Sequence, residues 1–191
     1  VSLVVAWFGD DLRAGSCKLR PGVEVAAKST TPVGWSVNGV SRANAFLVSR
    51  DAEDRPVYGG TPADFAVVQA IREMKARGLR VTFYPFLLMD VPPGNALPNP
   101  YSDNAAELDQ PTFPWRGRIT CSPAAGFAAT VDKTAMAASQ VAAFFGSASP
   151  SDFTVAGETV SWTGGANDWG LRRMVLHYAH LCAAAGGVDA F

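Results

Sequence analysis

The tightest constraint lies in residues 61–87, where helix and strand signals follow one another with almost no chain between them. Thr61-Pro62-Ala63-Asp64 predicts a helix start, with Thr61 as N-cap, Pro62 in the first helical position and Asp64 at the positive end of the helix dipole. Val67, Ala70, Ile71 and Met74 recur at helical spacing and predict the buried stripe. Lys75, Arg77 and Gly78 supply the C-terminal end, and Leu79–Leu87 reads as a strand. A second such run, Val1–Phe8, is closed by Gly9-Asp10-Asp11. Strand, helix and strand with a short return make a βαβ unit. Val1–Phe8 is apolar on both faces, as a strand of a parallel sheet covered by helices requires. The chain is thereby committed to an α/β fold.

The remaining segments extend the same pattern. Residues 12–60 are rich in Gly, Ser, Thr and Asn and read as a long excursion with one short strand candidate at Ala45–Ser49. Residues 90–118 hold Pro92, Pro93, Pro98, Pro100, Pro111 and Pro114, and a connection of this length without its own elements points to function or disorder. A second helix is predicted from about Asp132 to Phe145, with Ala137, Ala138, Val141, Phe144 and Phe145 on its apolar side. Phe153–Val155 and Thr159–Trp162 predict a small hairpin. A third helix is expected over about Asn167–Ala185, with Leu171, Met174, Val175, Tyr178 and Cys182 as its core stripe. Val188–Phe191 reads as the opening of a further strand. The whole, residues 1–191, reads as one domain fragment with the pattern of a partial (β/α)8 barrel truncated in a strand, its long loops following the strands.

Composition narrows the function classes. A formal net charge of −1 from 16 basic and 17 acidic residues offers no field to attract nucleic acid or an anionic membrane. Val1–Phe8 and Val81–Met89 are the longest apolar stretches, far short of the roughly 20 residues of a membrane span. No signal peptide is visible. Cys17, Cys121 and Cys182 are widely spaced and odd in number, which suits reduced thiols better than a disulfide scaffold.

Several groups are placed where chemistry is built. Asp10 and Asp11 follow the first strand and Asp90 follows the second, so a parallel sheet carries all three to its C-terminal end. They read either as carboxylates for sugar contact and acid/base work or as ordinary strand-ending turn residues. In Phe113-Pro114-Trp115-Arg116-Gly117-Arg118, Trp115 offers a flat surface and Arg116 a planar donor fork, suited to stacking on a sugar and bonding its hydroxyls. The alternative is a Trp that pins the loop while Arg116 pairs with an Asp. His177 and His180, three apart with Arg173 on their face, read as helix surface or packing rather than a metal pair. Tyr58-Gly59-Gly60-Thr61 lacks the Lys of a phosphate loop and reads as a tight turn feeding a helix. No cofactor is implied.

Taken together, Trp7-Phe8-Gly9-Asp10-Asp11-Leu12-Arg13, Tyr58-Gly59-Gly60-Thr61-Pro62, Phe83-Tyr84-Pro85-Phe86 through Met89-Asp90, Pro114-Trp115-Arg116-Gly117-Arg118-Ile119-Thr120 and Leu176-His177-Tyr178-Ala179-His180-Leu181 resemble the TIM-barrel-like domain of gene-transfer-agent and phage tail-tip proteins. These are large baseplate hub or "host specificity" proteins of tailed particles from α-proteobacteria. A wider resemblance is to clan A glycoside hydrolase barrels, β-mannanase-like ones in particular. It implies two catalytic glutamates on later strands, the first placed beyond Phe191. Glu24, Glu53, Glu73, Glu107 and Glu158 match neither.

The resemblance therefore implies a glycoside-hydrolase-like domain at the tail tip or baseplate of a phage-like particle assembled in the bacterial cytoplasm. Its expected partners are cell-surface polysaccharide or peptidoglycan and other tail and baseplate proteins. A non-catalytic glycan binder and a purely structural domain are the alternatives. The fragment itself is expected to lack glycosidase activity and to lean on other segments to cover its sheet edges. Asp10, Asp11, Asp90, Trp115 and Arg116 are expected to converge at the C-terminal ends of the strands.

Overall fold

A computed structural model describes residues 1–104 and 106–191. In chain order the strands of the first half are β1 (Ser2–Gly9), β2 (Leu19–Arg20), β3 (Gly22–Val23), β4 (Ser36–Val37), β5 (Val40–Ser41) and β6 (Phe46–Leu47). Helix α1 (Asp64–Ala76) leads to β7 (Thr82–Met89), then α2 (Ala135–Phe145), the hairpin β8 (Phe153–Ala156) and β9 (Thr159–Trp162), and α3 (Leu171–Ala184).

The βαβ unit forms as its sequence demands. β1 and β7 pair in parallel along their whole length, from Ser2 opposite Thr82 to Gly9 opposite Met89. Gly78 takes φ +74° and ends the α1 turn region, a conformation that costs glycine little. β2 adds to the other edge of β1 in antiparallel fashion. Thr82 donates its N–H to Val1 and Asp90 donates to Gly9, so the even-numbered amides of β7 face β1 and the odd-numbered ones face outward. Pro85 therefore falls on the outer row, where its missing N–H removes no bond from the β1–β7 ladder. Beyond β7 the residues expected as a strand reach only a single parallel bridge, Ala190 opposite Thr82.

Helices cover one face of this sheet. Val5 and Trp7 of β1 and Phe83, Leu87 and Met89 of β7 pack with Val67, Val68 and Ile71 of α1 and with Met174, Tyr178, Leu181 and Cys182 of α3. On the opposite face Phe8 lies against Phe46 and Tyr58, whereas Val4 and Tyr84 remain half exposed. The expectation that helices cover both faces thus fails on one side. The structure is mixed α/β, and among the described residues none of its four sheets closes into a barrel.

Two further expectations are corrected. Thr61 does not cap α1, which begins at Asp64 after an Ala63 cap. Its hydroxyl instead donates to the Ala6 carbonyl at 2.8 Å and accepts from the Gly22 N–H at 3.0 Å, tying β1 to the excursion. Helix α2 starts at Ala135, with the Thr134 side chain accepting from the Ala137 N–H. None of its residues is fully buried; Met136, Val141 and Phe145 are all more than 40% exposed. Its apolar stripe exists, but little of the chain packs against it.

The thiols are free, with Cys17 and Cys182 buried. Burial, reinforced at Cys17 by the negative charge of Asp10, pushes both thiols up to about 12. Since the thiolate is the nucleophile, iodoacetamide at neutral pH should label Cys121 alone in the folded protein and all three after denaturation. Mass spectrometry of labelled peptides checks this, and rapid native labelling of Cys17 or Cys182 would contradict the burial.

Candidate functional site

The parallel register brings the three aspartates to one end. Asp90 donates its N–H to Gly9 at 2.8 Å, so Asp10 and Asp90 leave neighbouring strands side by side. Their side chains are engaged by the chain around them. Asp10 accepts from the Lys18 N–H at 2.8 Å and meets Arg20 at 2.6 Å. Asp11 is held by the Arg13 guanidinium at 2.6 Å and by the Gln110 side-chain amide at 2.7 Å. Asp90 accepts from the Ser49 N–H at 2.9 Å, while its other carboxylate oxygen is buried with no hydrogen bond. Tyr58 donates to the Met89 carbonyl, and burial together with the Asp90 charge raises its phenol above the usual range. Asp11 and Asp90 are almost fully buried. These carboxylates pin the excursion and the long loop to the strand ends.

The proline-rich loop is ordered by a residue that no periodicity marks. Gln110 is buried; its oxygen accepts from the Leu12 N–H at 2.7 Å, and its amide donates to Asp11 and to the Pro98 carbonyl. Asn95 bridges the carbonyls of Pro92 and Gln110. A polar residue amid prolines was the sole available hint.

Trp115 and Arg116 emerge from this loop in a separate setting. A single 3-10 turn spans Arg116–Arg118, and Trp115 folds back on Gly117, where a Cβ would sit 2.3 Å from the ring. The indole is 67% exposed. Arg116 lies over the Phe86 ring, 4.0 Å from its centroid, and donates to the Tyr84 hydroxyl at 3.3 Å. Its hydrogen bonds reach none of the three aspartates; the cations among the aspartates are Arg13 and Arg20. Trp115, Arg116 and Tyr84 border a groove of about 620 Å³, continued by Leu87, Phe144 and Met174. The groove joins an aromatic plate and a donor fork to an apolar floor, a combination that suits stacking on a flat, hydroxyl-bearing ligand.

A second polar cluster lies inside the core. His177 is wholly buried, its Nε2 3.1 Å from an Asp64 oxygen. The other Asp64 oxygen accepts from the Val160 N–H at 3.0 Å. Arg173 is buried between the Trp169 and Trp162 rings, 3.5 and 4.6 Å from their centroids, and burial, partly offset by the nearby Asp168 charge, lowers it to about 10. His180 turns away toward the Pro150 carbonyl. Of the two readings of His177, helix surface and packing, the structure shows packing. Asp64 and Asn38 carried no sequence signal for this cluster, because their partners are 113 and 139 residues away along the chain. Among the described residues no three His, Cys, Asp or Glu side chains gather in a metal-binding group.

Glu24 pairs with Lys28 and Arg42, and Glu158 with Arg72. The family model described as the GTA TIM-barrel-like domain matches residues 169–191, the segment that carries α3 with Arg173, His177 and Tyr178. No curated protein matches the chain.

Proposed function

We propose that the chain is a gene-transfer-agent-related domain that binds envelope glycan at the Trp115 groove, at the tail tip of a phage-like particle. One observation carries this reading: a Trp two-thirds exposed, braced on Gly117 and set beside Arg116 and the Tyr84 hydroxyl. A loop tryptophan serving only as a clamp would turn its ring into the core. An exposed, pre-set ring loses little freedom on binding and can cover the apolar face of a pyranose while the guanidinium bonds its hydroxyls. The family match over residues 169–191 supports the particle context. The paired state of Asp10 and Asp11 favours binding over hydrolysis, since a general acid or nucleophile must be free to meet its substrate.

Calorimetry with peptidoglycan fragments and surface polysaccharide tests the reading. Trp115→Ala should weaken binding about tenfold, equivalent to ~1.4 kcal/mol, with stability changed by less than about 0.5 kcal/mol. Unchanged affinity would sink the assignment, and release of reducing ends by the purified chain would overturn its non-catalytic part. A structural role in the tail assembly is the second reading, favoured by α2. That helix is Ala, Met, Val and Phe apart from Ser139 and Gln140, yet has no buried residue, as a surface completed by another protein would have.

A further inference from the structure

The core cluster is directional, and its direction fixes a proton. Asn38 and Gly39 form the two-residue turn of the β4–β5 hairpin, with φ of +57° and +77°, the conformation for which Asn-Gly is the favoured pair. From that turn the Asn38 side chain enters the core. Its oxygen accepts from Arg173 Nε at 2.6 Å, and its nitrogen lies 3.1 Å from His177 Nδ1.

A guanidinium can only donate, so the Asn38 oxygen must face Arg173 and its NH₂ must face His177. An NH₂ can only donate in turn, so His177 Nδ1 must be the acceptor. The single ring proton then sits on Nε2, which points to the Asp64 carboxylate at 3.1 Å, close but off the hydrogen-bond line.

We propose that Arg173, Asn38, His177 and Asp64 form a protonation latch. The buried Arg173 cation, acting through Asn38, holds His177 neutral as its Nε2–H tautomer. A proton on Nδ1 and the Asn38 contact exclude one another, because two donors would then meet. Asn38 cannot relieve this by flipping its amide, since its NH₂ would then meet Arg173. Protonation of His177 and docking of the β4–β5 turn are therefore linked.

Asn38, Asp64, Trp7 and Tyr178 lie against the ring. Asp64 comes from α1, and Arg173 and Tyr178 come from α3. Trp7 of β1 and the Val160 N–H of β9 do not titrate. Asp64 favours a cationic ring; Arg173 and the Asn38 amide oppose it. Docking of the turn has its own reporter, the Trp162 N–H, which donates to the Asn38 carbonyl at 3.4 Å.

Nitrogen-15 NMR of the whole chain at neutral pH is the test. The His177 ring should show one pyridine-like nitrogen, Nδ1, and one pyrrole-like nitrogen, Nε2. In Asn38→Asp both oxygens of the new carboxylate accept, so Arg173 and a protonated Nδ1 are satisfied together. The pyridine-like signal should then be lost and the ring become an imidazolium. Asp tolerates the left-handed turn as Asn does, and retained Trp162 amide protection would show that the hairpin stays docked. In the native chain, acid that protonates His177 should abolish that protection in step. A native Nδ1–H tautomer, a native cation at neutral pH, a docked N38D chain with an unchanged ring, or a cationic native ring with Trp162 still protected would each overturn the latch.

Discussion

Asp64→Ala should lower stability by about 1–3 kcal/mol, which for a chain of this size is a fall in melting temperature of ~2–12 °C. Asp64 is almost fully buried and serves two partners from different elements, the Val160 N–H of the hairpin and His177 of α3. Truncation leaves the Val160 amide buried without an acceptor, and an orphaned buried donor costs about 1–3 kcal/mol, whereas His177 Nε2 makes no hydrogen bond even in the native chain and loses only the charge beside it. The carboxylate's own desolvation works the other way, so the net loss stays below the sum of the contacts. Asp64→Asn keeps an acceptor for Val160 but removes the carboxylate charge that faces His177, and should cost about half as much. Urea and thermal melts of the two variants give the comparison. A loss below about 1 kcal/mol for the alanine variant would mean that the cluster does not tie the elements together.

Gly170→Ala should cost about 3 kcal/mol, the upper end for an added methyl in a tight contact. Gly170 is the N-cap of α3 with φ −88°, a backbone that alanine adopts freely, so conformational strain is not the cause. The added Cβ would lie 2.6 Å from the Phe145 carbonyl oxygen and 2.7 Å from both the Cα and N of Gly146. These are backbone atoms, so either α2 or α3 must move. The crossing is close because Gly146 ends α2 at φ +73° directly against the start of α3. Gly165→Ala is the control, since a Cβ there meets nothing within 4 Å. Equal melting temperatures for the two variants would show that the helix crossing yields without cost.

How far the candidate site could be read in advance depended on which residues fix each part of it. Asp10 and Asp90 meet because two apolar runs flank one helix, and parallel pairing of such runs carries whatever follows them to the same end. Both runs and the helix between them are local features. The partners that neutralise the aspartates, Arg13, Arg20 and Gln110, were not legible, because loop conformation decides them. Trp115 and Arg116 stood out by residue type alone. Their separation from the aspartates follows from the Phe86 and Tyr84 contacts, which depend on the path of the proline-rich loop.

By itself the sequence determined the βαβ unit, the Phe153–Trp162 hairpin and α3, since each rests on signals a few residues apart: apolar period, a left-handed glycine, a short turn. The tertiary structure decided what those elements do with their surfaces. It turned Thr61 from a helix cap into a tie between β1 and the excursion, because a hydroxyl bonds whichever backbone groups the fold brings near. It left the apolar stripe of α2 largely uncovered, because periodicity shows that a face is apolar and not what packs against it. It assembled Asn38, Asp64, Arg173 and His177 from the β4–β5 turn and two helices, because burial of polar groups is satisfied across space. No spacing along the chain encodes that requirement.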